Sequence, residues 1–250
     1  MSPRIPAPVV PEDVASRRRE TDPVPVRRRT GRAGKLVVAC ILDEFSFTSF
    51  EGEADLVPLT MEYWRAELTA AQPDLLLVES AWRGHRQTWW NTVHRFGPEL
   101  EGILRWCRER GVPTAFWNKE DPVHFNRFKR TAALCDYVFT TDARTIVDYN
   151  ALPDNQITTV ASAPFAAQPL LHNPLPSTRA QDEAIAYGGT YYGDKYATRK
   201  QGLDFLFYES APHGLAIYER VHNDPNSPYR LPDRFRSAAS RTPSTTHRSS

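Results

Sequence analysis

Cysteine is scarce in this chain: Cys40, Cys107 and Cys135 are the only three among 250 residues. An odd, widely spaced set inside apolar patterns offers neither metal-ligand spacing nor a disulfide framework, and predicts buried thiols in a reducing compartment. Long apolar runs are missing too. The longest are strand-sized, far short of the roughly 20 residues that span a bilayer, and the Pro-rich, charged N-terminus has no apolar core of a secretory signal. A net charge of +1 argues against wholesale binding to nucleic acid or a membrane surface. The first strand is followed by Leu42-Asp43-Glu44-Phe45-Ser46, not by Gly-x-Gly-x-x-Gly, which disfavours a nicotinamide-dependent oxidoreductase. A phospho-accepting receiver domain fits poorly as well, because Glu79 rather than Asp ends the third strand and no Lys follows Phe139. These absences leave an expectation of a cytoplasmic protein without a transmembrane segment, metal or cofactor, and with no nucleic-acid partner.

What is present supports a real core, with 40% hydrophobic residues. Residues 1–34 alternate Pro with the triplets Arg17-Arg18-Arg19 and Arg27-Arg28-Arg29, and predict a disordered basic tail. Residues 36–42 are a continuous apolar run, as expected of a parallel strand buried on both faces, and Asp74-Leu75-Leu76-Leu77-Val78 reads as a second buried strand. Residues 54–59 form a weaker strand, placed near an edge by Pro58. Thr60 is a candidate cap for a helix carrying Trp64 and Leu68. The clearest helix starts near Pro98, with Leu100, Ile103, Leu104 and Cys107 on one face and Gly111 just past its end. Strands follow at 112–117, 137–140 and 157–160, with a helix over 122–134 and a shorter one near Ile146. This alternation predicts a Rossmann-like, doubly wound parallel sheet over residues 35–176.

A Pro-rich crossover leads from residue 164 to residue 176. Residues 182–236 then carry a single βαβ unit: a strand at 184–187, the turn Gly188-Gly189-Thr190-Tyr191-Tyr192-Gly193, a helix over 199–210 and a strand at 215–218. One such unit is small for a domain, so the second domain is expected to be incomplete. Residues 237–250 are rich in Ser, Thr, Arg and Pro and predict a second disordered tail.

Right-handed crossovers bring all carboxyl ends of parallel strands to one edge. That edge is expected to gather Asp43, Glu44, Glu79, Asn118, Lys119, Glu120, His124, Thr140, Thr141 and Asp142. At its centre lies Phe116-Trp117-Asn118-Lys119-Glu120-Asp121-Pro122-Val123-His124-Phe125, an apolar strand running straight into an amide, an ammonium, carboxylates and an imidazole, with Pro122 opening a helix. Glu120 is open to two readings, a general base or an ion-pair partner of Lys119 or Arg127. His124 is a partner of a reacting hydroxyl or a satisfied, half-buried histidine. Asp121 and Asp142 each precede a helix and read as N-caps. Trp82, Trp89, Trp90 and Trp117 either stack on sugar rings or fill the core.

The same stretch resembles a hallmark of the spore-maturation CgeB-like glycosyltransferases. Glu79-Ser80-Ala81-Trp82, Phe139-Thr140-Thr141-Asp142, Pro164-Phe165-Ala166-Ala167-Gln168-Pro169, His172-Asn173-Pro174, the Gly-Thr-Tyr-Tyr stretch with Tyr196 and Arg199, and Ile217-Tyr218-Glu219-Arg220 are similar to further blocks of that family, in its order. The resemblance implies a GT-B fold, two Rossmann-like domains facing each other across a cleft, and transfer of a hexosyl-type sugar from a nucleotide-activated donor to a glycan or small-molecule acceptor. It departs from the family pattern in the short second domain and the last stretch, as truncation would leave them. A base for the acceptor hydroxyl and N–H or cationic groups for the departing phosphates are what such chemistry needs. The candidates are Glu120, His124 and Glu79 for catalysis; Glu44, Asn118, Lys119, Trp82, Thr141 and Asp142 for substrate; and Gly188, Gly189, Thr190 and Arg199 for the donor. The alternative is a non-catalytic module that binds a glycan or a nucleotide sugar.

Overall fold

The first strand, β1 (Val37–Ile41), divides its side chains between two cores in the computed structural model. Ala39 and Ile41 enter one apolar cluster, while Val38 and Cys40 enter another with Leu42. Such period-two partition is what a parallel strand covered on both faces requires. The structure describes residues 34–173, 185–219, 221 and 226–236. The expected tails, but for Gly34, and residues 174–184 lie outside them.

The chain divides into two compact units, Met1–Asn173 and Pro174–Ser250. In the first, β2 (Asp55–Pro58), β3 (Leu75–Glu79), β4 (Thr114–Asn118), β5 (Tyr137–Thr140) and β6 (Thr159–Ser162) join β1 in a six-stranded sheet of order β2-β1-β3-β4-β5-β6. Every pairing is parallel. The Pro-containing β2 lies at an edge, where a missing N–H costs least. Helix α1 (Glu44–Phe50) directs Phe47 and Phe50 to the Val38–Cys40 face. Helices α2 (Trp64–Ala71), α3 (Pro98–Arg110) and α4 (Phe125–Ala132) cover the other face, together with Tyr149 of α5 (Ile146–Asn150). That split follows from right-handed crossovers on a sheet whose order reverses at β1.

Residues 44–50, which the sequence pattern leaves unassigned after the first strand, are helical: Phe47 and Phe50 stand one helical turn apart and meet the sheet together. The first unit runs to Asn173 and so takes in most of the Pro-rich stretch from residue 164. Gln168 is buried and donates through Nε2 to Ser49 O at 2.8 Å and Glu53 Oε1 at 3.1 Å.

Helix α3 buries Leu100, Ile103, Leu104, Trp106 and Cys107, and Gly111 ends it at φ 65°. Each large aliphatic side chain so buried contributes about 1.5–3 kcal/mol. Gly102 faces Trp64, and a Cβ there would lie 2.7 Å from the ring. We expect Gly102→Val to destabilise the first unit by about 1–3 kcal/mol, read as a lower midpoint in urea unfolding. An unchanged midpoint would show that Trp64 gives way.

The second unit pairs β7 (Ile185–Gly189) with β8 (Leu215–Glu219) in parallel, joined through α6 (Ala197–Ser210). Tyr191, Leu203, Phe207, Leu215, Ile217, Leu231 and Phe235 form its core. Gly188 and Gly189 close the strand instead of forming a turn, paired with Tyr218 and Glu219. The positive φ values fall later, at Tyr192 and Gly193.

All three cysteines are free and buried. Burial pushes the thiols of Cys40 and Cys107 up to about 12. Among the described residues no helix is long and apolar enough to cross a membrane.

Candidate functional site

The reversal of strand order between β1 and β3 makes a crevice at their carboxyl ends, the usual ligand position in open α/β sheets. Asp43, Glu79 and Lys119 meet there. Lys119 Nζ donates to Glu79 Oε1 at 2.8 Å and to Asp43 Oδ2 at 3.0 Å. Asp43 N also donates to Glu79 Oε1. The Asp43 carboxylate accepts from Trp82 N at 3.1 Å, Arg83 N at 2.9 Å and Gly84 N at 2.8 Å, and so holds the loop after β3.

Burial and pairing set the charges of this triad. Burial pushes the Asp43 carboxyl up, but Lys119 and the N–H groups of Arg83 and Trp82 outweigh it and hold the pKa below the usual aspartate value. Burial disfavours the Lys119 ammonium, yet Glu79 and Asp43 hold its pKa above the usual lysine value. Glu79 is fully buried, and burial raises its pKa against the opposing pull of Lys119. Its Oε2 is buried, and the buried Ser46 hydroxyl beside it adds to the pull of Lys119 toward the ionised form.

The loop after β4 is tied by a second hub. Asp121 accepts from Asn118 Nδ2 at 2.8 Å, from Thr140 Oγ1 at 2.7 Å and from Tyr149 OH at 2.8 Å. Asn118 Nδ2 also donates to Tyr149 OH at 2.7 Å, and Asn118 Oδ1 accepts from Glu120 N at 3.1 Å. Burial raises the Asp121 pKa. This corrects the capping role expected of Asp121. Residues 119–124 are turns, Pro122 opens no helix, and α4 begins at Phe125. Asp142 does cap, accepting from Arg144 N at 2.9 Å, and its pKa is lowered to about 2 by the Arg144 side chain and N–H.

Between these two anchors Glu120 and His124 stay partly open, with Glu120 Oε2 3.7 Å from His124 Nε2. Neither Lys119 nor Arg127 takes Glu120 as an ion-pair partner among the described residues. The His124 ring meets Trp82 edge-on, with centroids 5.2 Å apart. Trp82 also contacts His94 and Phe128, at 5.7 Å and 5.3 Å between centroids, and the Arg127 guanidinium lies 5.8 Å from its ring. Burial, then Arg127 and Arg95, lower the His94 pKa, so its imidazole is neutral at pH 7.

Of the expected residues, the structure thus brings together Glu79 and Lys119 in one group, and Glu120, His124 and Trp82 in another, joined through residues 118–124 and the loop held by Asp43. Asn118 and Lys119 are committed to internal bonds. Thr141 N donates to Asn118 O at 3.2 Å. Glu44 lies outside the triad, exposed, with Oε2 2.9 Å from His85 Nδ1. Trp89 and Trp117 are core residues and Trp90 is exposed. In the second unit, Arg199 Nη2 lies 3.5 Å from Tyr187 OH, which in turn covers the position a Cβ on Gly189 would take, and Thr190 is buried. Asp43 was expected at this edge but not as a loop anchor, and two contributors escaped the sequence reading as site residues: Asp121 as a hub and His94. The only signal for His94 was the Trp- and His-rich composition of its loop.

No group of three His, Cys, Asp or Glu side chains among the described residues is placed to hold a metal ion. Comparison with models of protein families, with curated proteins and with solved structures gives no match.

Proposed function

We propose that the chain is a glycosyltransferase of the GT-B type, related to the CgeB-like enzymes, that moves a sugar from a nucleotide donor to a hydroxyl-bearing acceptor. The observation carrying this reading is the open Glu120–His124 pair beside Trp82 at the carboxyl edge of a doubly wound sheet. In this scheme the acceptor oxygen attacks the anomeric carbon as the bond to the diphosphate breaks. The acceptor proton passes to Glu120, which His124 orients, and the diphosphate leaves with the bonding electron pair. Trp82 supplies a ring against which a sugar packs. Asp43, Glu79 and Lys119 fix the loops that carry these groups. Arg199 and the backbone around Gly188, Gly189 and Thr190 are the donor-phosphate candidates.

The test is release of nucleoside diphosphate by the full chain from a panel of UDP-, GDP-, ADP- and dTDP-sugars, with and without simple glycoside acceptors. Acceptor-stimulated release from at least one donor is expected. Saturable donor or glycan binding without release would replace the transferase by a non-catalytic binding module. No binding and no release across the panel would refute both.

A further inference from the structure

A second concavity lies on the outer face of the first unit, away from the strand ends. It encloses about 360 Å³ and is lined by Phe96, Leu104, Leu134, Gln156, Glu101 and three arginines, Arg105, Arg108 and Arg130. That volume is at the lower end of what small-ligand sites offer. Three arginines line it against one glutamate, an excess of two positive charges. Arg105 Nη2 reaches Glu101 Oε1 at 3.3 Å, whereas Arg108 donates to the neutral Gln156 and Arg130 lies over the Phe96 ring at 5.1 Å. Neither Arg108 nor Arg130 has an ion-pair partner among the described residues. Converging like charges repel one another unless an anion joins them. Guanidiniums suit phosphate because their planar N–H forks match its oxygens.

We propose that this groove between α3 and α4 binds a small organic phosphate monoester, with the phosphate on Arg105, Arg108 and Arg130 and an apolar body against Leu104, Leu134 and Phe96. The charge matches. A monoester carries about −1.5 to −2 at neutral pH, close to the uncompensated charge of the lining. The apolar floor, half-buried Phe96 and Leu134 over the buried Leu104, distinguishes the ligand from inorganic phosphate, which has no apolar body to set against it. This site is independent of the glycosyl-transfer reading and uses none of its residues.

Isothermal titration of the full chain with phenyl phosphate, inorganic phosphate and benzyl alcohol tests it. One saturable site for phenyl phosphate is expected, at least about tenfold tighter than for inorganic phosphate, with no saturable heat from benzyl alcohol. Arg108→Gln combined with Arg130→Gln should weaken phenyl phosphate at least about tenfold. Arg105→Glu, at an exposed helix position, should weaken it further without touching the core. Circular dichroism on both variants confirms the fold, and if either is unfolded the other decides. Absence of saturable phenyl phosphate binding, or equal binding by a folded variant and the wild type, overturns the proposal.

Discussion

Lys119→Met is expected to lower the unfolding free energy by about 3–5 kcal/mol. Lys119 is the only cation paired with both Asp43 and Glu79 among the described residues, and the side chains of all three are largely or fully buried. Removing the ammonium leaves Glu79 buried without a cation and with the Asp43 N–H as the donor left to its Oε1, although Asp43 retains its three backbone N–H donors. Adding Glu79→Leu to Lys119→Met should recover most of the loss, because a buried pair replaced by apolar groups is far less costly than half a pair. Equilibrium urea unfolding of the two variants reads both effects.

The pH dependence follows from the directions of the shifts. Asp43 has a folded pKa below its ordinary value, so its contribution is present above the unfolded aspartate value and is lost as pH falls through the lowered folded one. Lys119 is shifted upward, so its contribution is complete below the ordinary lysine value and disappears as pH rises through the raised one. Glu79 is also shifted upward, and therefore costs stability as pH rises from its unfolded to its folded value. Asp43→Asn should flatten the acid limb of stability against pH and also weaken the alkaline limb, which Glu79 alone then sustains. An unaltered acid limb would show that other carboxylates govern acid unfolding.

The second large effect is on turnover. Glu120→Gln and His124→Ala are each expected to reduce sugar transfer by about 10²-fold or more, the usual yield of a positioned acid or base. Both side chains are partly solvent-exposed, and their mutual contact is 3.7 Å. Exposed pairs of that kind contribute about 0–1 kcal/mol, so unfolding midpoints should barely move. Loss of a proton acceptor acts on kcat more than on KM, whereas Trp82→Ala should raise KM for the acceptor. Near-normal kcat in both Glu120→Gln and His124→Ala would remove them from the reacting centre.

Much of the sheet was legible in the sequence, because the buried parallel strands β1, β3 and β4 are written as unbroken apolar runs between turn residues. Helix α1 was not, since seven residues with phenylalanines at 45, 47 and 50 show no clear helical stripe until the sheet face they cover is known. The Asn118–His124 stretch stood out by composition alone. Which of its side chains face inward did not, because Lys119 is fixed by partners 76 and 40 positions away in the chain. Asp121 read as a cap from its place before Pro122, whereas its carboxylate is claimed by Thr140 and Tyr149. Gly188-Gly189 carries the composition of a turn but forms the last two rungs of a ladder, where Tyr187 OH occupies the space a side chain would need. Local pattern reports burial; it is blind to long-range polar partners.

The most direct check on the central claim is a paired measurement on wild-type and Glu120→Gln protein: nucleoside diphosphate released per enzyme from the preferred nucleotide sugar, with the unfolding midpoint taken on the same samples. Acceptor-stimulated release by the wild type, lost in the variant at an unchanged midpoint, is the predicted result. Equal release by both proteins would contradict the assignment of the strand-end crevice as the reacting centre.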